Sequence, residues 1–94
     1  MQDLNDMLYF AEVAERGGFA AAGRALGIPK SRLSRRVAEL EAQLGVRLLQ
    51  RSADGYALTL AGESIHSHAE RMEAEALLIE RAVAGQDVTH VLDA

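Results

Sequence analysis

Apolar residues recur along the N-terminal part of the chain at the spacing of amphipathic helices. Spacings of three or four residues link Leu4 to Met7 and Leu8, both of these to Ala11, and Ala11 to Ala14. This periodicity predicts a first helix over residues 4–16, with Asp3 as its N-cap and Gly17 at its end. An alanine-rich second helix is predicted over residues 20–26, and Gly27 after it can adopt the left-handed conformation that ends a helix.

The third predicted helix, over residues 30–43, has two opposed faces. Pro29 precedes it, at a place where a missing N–H costs little. At 100° per residue, its apolar positions fall within about 60° of one another; they are Leu33, Val37, Leu40 and Leu44. The opposite side begins with polar and basic residues. The pattern favours a helix whose back packs in a core and whose front faces a ligand.

The pattern then changes to a hairpin and a long helix. RLLQR and YALT are strand-like runs, and SADG between them is typical of a turn, with Gly55 at the position that needs a positive φ. Thr59 is the predicted cap of a fourth helix that ends at Gly85. Its apolar positions alternate spacings of four and three, which is a heptad pattern. This heptad stripe consists of Ile65, Ala69, Met72, Ala76, Ile79 and Val83.

Charge is distributed unevenly along these elements. The formal net charge is −4, which taken alone argues against a nucleic-acid partner. From Arg24 to Arg51, however, seven basic residues face two acidic ones, whereas from Glu63 onward seven acidic residues face two basic ones. A local basic patch of this kind can neutralise phosphates even in an acidic chain.

Two helices joined by a glycine turn form a helix-turn-helix, and a following hairpin makes it winged. The second helix of such a pair enters the major groove of DNA with its N-terminal residues. Basic residues crowded at that end oppose the helix dipole, so phosphate would compensate them. A solvated charged face is the alternative, and the physical argument by itself leaves both open.

Several motifs in order carry a resemblance to a known family: the GGF turn, AAAGRALG, LSRRVAELEAQLG, RLLQRS and LTLAG. They resemble the N-terminal winged helix-turn-helix domain of LysR-type transcriptional regulators, over about residues 4–62 and into the following helix. The resemblance implies a mainly α fold: three helices and a two-stranded β-hairpin wing, followed by a long linker helix that dimerises. It also implies a set of DNA-contacting residues, namely Lys30, Ser31, Arg32, Ser34, Arg35, Arg36, Arg51 and Ser52.

Three departures from the family pattern change these expectations. Ala20 stands where the family usually has Ser or Thr, so a capping hydroxyl that could contact phosphate is absent. Asp54 occupies a wing position that is often basic. The chain also stops at Ala94, where family members continue into an effector-binding domain. We therefore expect a DNA-binding domain over 1–59, a linker helix over 60–85 and the stub of a hinge over 86–94.

The remaining chemistry is sparse. There is no cysteine, and His66 and His68 point to different sides of a helix, so no metal site is expected. The sequence contains neither a set of nucleophile and base residues nor a phosphate-binding glycine loop, so an enzyme is not expected, and neither is a cofactor. No apolar run is long enough to span a membrane, and no signal-peptide pattern is present, which favours a cytoplasmic protein.

Two functions follow from these patterns. The first is a dimeric, sequence-specific regulator that binds double-stranded DNA and pairs through the heptad stripe. The second is a truncated regulator that acts as a protein-interaction module by forming heterodimers with a full-length relative. A small-molecule effector is expected only if a further C-terminal domain exists.

Overall fold

The computed structural model describes residues 3–85 as four helices and one hairpin. In chain order these are α1 (Leu4–Arg16), α2 (Phe19–Leu26), α3 (Lys30–Leu44), β1 (Leu49–Ser52), β2 (Gly55–Leu58) and α4 (Leu60–Gly85). This confirms the predicted mainly α, winged helix-turn-helix architecture. The expected hinge stub over 86–94, with His90, lies outside the described residues.

Local sequence signals set the helix ends. The Asp3 carboxylate accepts a hydrogen bond from the Asn5 N–H at 2.8 Å, as its predicted capping role requires. Thr59 Oγ1 accepts from the Gly62 N–H at 2.9 Å and so caps α4. The prediction is wrong by one residue at two helix ends, since α2 already begins at Phe19 and α3 extends to Leu44.

The core lies where α1, α2 and α3 cross, and the hairpin closes one side of it. Its fully buried members are Phe10 and Val13 of α1, Ala22 of α2, Leu33 and Leu40 of α3, and Leu48, which directly precedes β1. Burial of these side chains provides the main stabilising term for a domain of this size.

The two strands pair antiparallel, with Arg51 opposite Tyr56 and Ser52 opposite Gly55. Gly55 has φ +125°, as predicted for the turn, and a side chain there would place its Cβ 2.7 Å from the Gly17 carbonyl oxygen. The hairpin tip therefore approaches the end of α1 closely. Glycine is required at this position both for the backbone conformation and for the space.

The long helix α4 is only partly covered. Ala69 is fully buried against the rest of the domain and Ile65 packs on the core cluster, whereas Leu78 and Ile79 are 58% and 63% exposed. The molecule measures 51 × 27 × 20 Å, so α4 extends beyond the globule. In the described part of the chain, no helix combines the length and hydropathy that crossing a membrane would require.

Candidate nucleic-acid interface

A tight turn joins α2 to α3. Gly27 adopts φ +70°, and the Ile28 N–H donates to the Gly23 carbonyl at 3.0 Å. A Cβ at Gly23 would lie 2.7 Å from the carbonyl oxygen of Ile28, so α2 must have a glycine there to let the chain pass so closely. The turn thereby fixes the start of α3 against the end of α2, as in a helix-turn-helix.

The front of α3 is open to solvent in its first two turns. Leu33 and Val37 point into the core and are 0% and 2% exposed. All five predicted contact residues of these turns are exposed: Lys30, Ser31, Arg32, Ser34 and Arg35. The predicted division of the helix into a buried back and a polar front is therefore present in the structure.

The basic residues fall into two groups according to their partners. Three of the ten lie within 4.0 Å of a carboxylate: Arg16 pairs with Glu12, Arg36 with Asp3 and Asp6, and Arg47 with Glu41. Among the described residues, the other seven form no ion pair. Five of these seven belong to the basic stretch, namely Arg24, Lys30, Arg32, Arg35 and Arg51. The fold thus leaves most of the positive charge of this stretch unpaired.

Arg36 is held within the protein. Its Nε donates to Asp6 Oδ1 at 2.6 Å and its Nη2 to Asp3 Oδ2 at 3.0 Å, while its guanidinium lies 5.5 Å from the Tyr9 ring centroid. The hydrogen bond to Asp6 raises the pKa of Arg36 above its already high ordinary value. The family resemblance assigns Arg36 to DNA, whereas in the structure Arg36 and Asp6 together clamp α3 to α1.

The wing presents its basic residue at the edge of the domain. Arg51 and Ser52 of β1 are exposed, and the Arg51 guanidinium lies 5.7 Å from the centroid of the Tyr56 ring. Tyr56 in turn packs edge-to-face on Phe19 at 5.2 Å between centroids. This stack supports the hairpin against α2. Asp54 at the turn is also exposed, so it lowers the positive potential of the wing tip.

The sequence patterns do not predict a role for two further candidate functional residues. Arg24 is exposed beside the turn and lines a shallow depression together with Lys30, close to the place of the absent hydroxyl at Ala20. Its position in the basic stretch is the signal that could identify it. Glu41 is a half-buried acceptor for backbone N–H groups of the wing, and no local pattern marks it, because its partners lie seven and eight residues away.

The heptad stripe is divided in two by the fold. The sequence assigns Ile65 and Ala69 to a dimer interface, whereas within this chain Ala69 is fully buried and the half-buried Ile65 packs on the core cluster. Met72 is half-buried, and beyond it Ala76, Ile79 and Val83 are exposed. Leu4 and Met72 line open grooves on both sides of the stripe, with volumes of about 590 and 630 Å³.

A histidine and two carboxylates meet where α4 crosses α1. His66 Nε2 is buried without a hydrogen-bond partner and lies 3.7 Å from Glu15 Oε1, while its Nδ1 lies 3.5 Å from Glu70 Oε1. The two carboxylates thus face opposite nitrogens of one ring. One ligand atom from each of the three residues lies within 4.8 Å of the others, but both carboxylates are exposed, and we assign no metal to this group.

Comparison with known proteins gives consistent similarities. Residues 4–63 match the family described as bacterial regulatory helix-turn-helix protein, lysR family. An HTH-type transcriptional regulator from Xanthomonas campestris pv. campestris (strain 8004) is 48% identical over 81 residues, which are 86% of this chain and 24% of the relative. The chain therefore spans about a quarter of the length of that protein.

Two solved structures of protein–DNA complexes have the same fold. The CbnR_DBD–DNA complex matches with a TM-score of 0.74 at 37% identity and covers 88% of this chain and 97% of that one. The BenM_DBD/benA site 1 DNA complex matches with a TM-score of 0.78 at 27% identity, covering 87% and 95%.

Proposed function

Because the chain belongs to the lysR family of bacterial regulatory helix-turn-helix proteins, we propose that it binds duplex DNA and regulates transcription. The observation that carries this proposal is the set of unpaired cations at the start of α3 and around it. Lys30, Arg32 and Arg35 are exposed at the N-terminal end of a helix, where the macrodipole disfavours positive charge. Phosphates and guanine edges in a major groove supply the partners that the fold does not. We assign no catalytic role to the chain.

The proposed contacts to DNA are of two kinds: contacts to base edges, which provide sequence specificity, and contacts to the phosphate backbone, which position the domain. Lys30, Arg32 and Arg35 would face base edges, where Arg and Lys bind guanine O6 and N7. Ser31 and Ser34 would donate to phosphates or bases. Arg51 on the wing, assisted by Ser52, and Arg24 beside the turn would bind the backbone on either side. Arg24 would provide the phosphate contact that Ala20 cannot make.

We further propose that two copies pair through the exposed half of α4. Met72, Ala76, Ile79 and Val83 continue the heptad spacing beyond the globule, and Leu4 of α1 lies beside them. Burying a stripe of this kind against its equivalent in a second chain removes apolar surface from water. A two-fold dimer would then present two copies of α3 to two half-sites.

Substitution of a single arginine on α3 tests the DNA interface. Arg35→Ala and Arg32→Ala are each expected to weaken specific duplex binding by about 1–3 kcal/mol, because each removes a contact to a base or phosphate. The duplex is first selected from a random pool by the wild-type chain. Affinities are then measured by fluorescence anisotropy over a salt titration.

Arg81→Ala is the matched control. Arg81 is also exposed and forms no ion pair among the described residues, but it lies near the far end of α4. Its removal is expected to leave the affinity unchanged. Wild-type affinity and salt dependence for both Arg32→Ala and Arg35→Ala would refute the assignment of α3 as the reading helix.

Asp6→Ala distinguishes two roles for Arg36. If Arg36 acts by clamping α3 to α1, loss of its carboxylate partner weakens DNA binding, by about threefold to tenfold, and lowers the thermal midpoint. If Arg36 instead contacts phosphate, the released guanidinium strengthens binding. We expect the weaker binding, since both Asp3 and Asp6 already hold the guanidinium. Thermal unfolding and anisotropy on the same preparation measure both quantities.

A further inference from the structure

One short segment carries hydrogen bonds to both α3 and α4. The Leu48 N–H donates to Glu41 Oε2 of α3 at 2.7 Å, and the Leu48 carbonyl accepts from the N–H of Thr59, the cap of α4, at 3.0 Å. Leu48 itself is fully buried. A single peptide segment therefore lies between the end of the recognition helix and the start of the long helix, bonded to each.

Residues 47–48, bonded to Glu41 of α3 and to Thr59 before α4, form a joint between the two helices. On the α3 side of this joint, Glu41 accepts an unusual number of hydrogen bonds. Its Oε2 also accepts from the Leu49 N–H at 3.2 Å and from Arg47 Nε at 3.3 Å, and its backbone carbonyl accepts from the N–H groups of Gly45 and Val46. Five donors thus converge on one residue. They fix the direction in which the chain leaves α3, because hydrogen bonds constrain direction as well as distance.

Thr59 and Gly62 hold the other side. Thr59 Oγ1 donates to the Arg47 carbonyl at 2.6 Å and accepts from the Gly62 N–H, so one hydroxyl both caps α4 and binds the segment. A Cβ at Gly62 would overlap the Leu48 carbonyl oxygen. The first turn of α4 therefore sits directly on the segment that Glu41 holds.

From these contacts we propose that Glu41 is a positioning residue that sets the angle between α3 and α4 through residues 47–48. In a dimer built on α4, this angle determines how far apart the two recognition helices stand, and half-site spacing follows from that distance. Glu41 is therefore a determinant of spacing specificity, although it faces the wing and not the DNA. This inference rests on the proposed function and adds to it a residue outside the contact surface.

The packing of α1 against both α3 and α4 does not replace this joint. Towards α3 those contacts include the directional bonds of Arg36 to Asp3 and Asp6, but towards α4 they are mainly apolar, through residues such as Ala69, and apolar burial is not directional. The bonds at Leu48 fix the direction of the chain. Loss of the Glu41 carboxylate is thus expected to widen the range of angles between α3 and α4, at a smaller destabilisation than would unfold the domain.

The first measurement uses duplexes that carry two selected half-sites, with the spacing varied in steps of one base pair. For Glu41→Ala, the affinity ratio between the preferred spacing and its neighbours is expected to fall about threefold or more. Its affinity for a duplex with one half-site is expected to stay within about twofold of wild type, since no group on the front of α3 has changed. Glu41→Gln keeps an acceptor for the two N–H groups and is expected to lie between Glu41→Ala and wild type.

Glu39→Ala is the matched control, because Glu39 is an exposed glutamate of the same helix with no side-chain hydrogen bond among the described residues. It makes the same change of charge and should retain the wild-type spacing ratio. If Glu41→Ala does not fold, Glu41→Gln and Thr59→Ala carry the test in its place. An unchanged spacing ratio in a folded Glu41 variant, or an equal fall in Glu39→Ala, would overturn the proposal.

A second measurement needs no DNA. The chain has no cysteine, so spin labels can be placed at Gln43→Cys on α3 and Ser67→Cys on α4, with unlabelled chain added in excess to suppress signals between protomers. The distance distribution should be narrow in the parent and broad with Glu41→Ala. An equally narrow distribution contradicts the joint. If the wild-type chain shows no sequence-specific duplex binding, the proposed function fails, and the distance measurement still decides whether the joint exists.

Discussion

Gly62→Ala is expected to destabilise the domain by about 3 kcal/mol or more, which is a large share of the stability of a domain of this size. The added Cβ would overlap the Leu48 carbonyl oxygen and approach the Leu58 side chain at 3.2 Å. Leu48 is fully buried and bonded on both sides, so its backbone cannot move away cheaply. Removing the overlap would require α4 to move away from the hairpin.

Urea unfolding followed by circular dichroism measures this effect, and Gly85→Ala is the control. Gly85 lies at the other end of the same helix, and a Cβ there meets nothing within 4 Å. Alanine at position 85 should leave the stability of the domain unchanged or raise it by up to about 1 kcal/mol, because it lowers the conformational entropy of the unfolded chain. Equal unfolding free energies for the two variants would show that the first turn of α4 does not pack tightly against the Leu48 carbonyl.

Ile79→Glu is expected to give monomers and to lower the affinity for a two-half-site duplex by about 100-fold or more. Ile79 is 63% exposed, so the protomer loses little packing, whereas a dimer interface would have to bury the new charge. Without the dimer, the second half-site is no longer bound at a high effective concentration. Sedimentation velocity and anisotropy on the same samples measure the two effects.

The matched control is Ser67→Glu, on an exposed position that is about 120–180° away from the residues of the stripe on a helical wheel. It should leave both the sedimentation coefficient and the affinity unchanged. If Ile79→Glu sediments like the wild type, the exposed half of α4 is not the dimer interface. Wild-type chain that stays monomeric alone but pairs with a full-length relative would favour the protein-interaction module over the homodimer.

The elements that follow from short-range signals were predictable. Apolar spacing of three and four residues marks α1, α3 and α4. A capping residue within three positions also marks α1 and α4, and a glycine at positive φ marks the wing, as with Asp3 at α1 and Gly55 in the hairpin. These signals involve neighbours in sequence. They suffice for the fold and for the exposed front of α3.

The pairings that define the site more finely join residues distant in sequence. Asp6 and Arg36 are 30 residues apart, and each carries an ordinary local explanation, as an acid at a helix start and as a base on a basic helix. Periodicity alone also cannot divide one apolar stripe between two partners. The heptad spacing continues through Ala69 and Ile79 alike, and only the position of α1 shows that the first is covered within the chain.

The two tyrosines give the domain two separate optical reporters. The chain contains no tryptophan, so its intrinsic emission comes from Tyr9 and Tyr56 alone. Tyr9 lies beside Arg36 in the clamp between α1 and α3, and Tyr56 lies beside Arg51 on the wing. With Tyr9→Phe, the remaining fluorescence reports the wing, and with Tyr56→Phe it reports the clamp. Movement of either part can thus be followed in solution without attaching a dye.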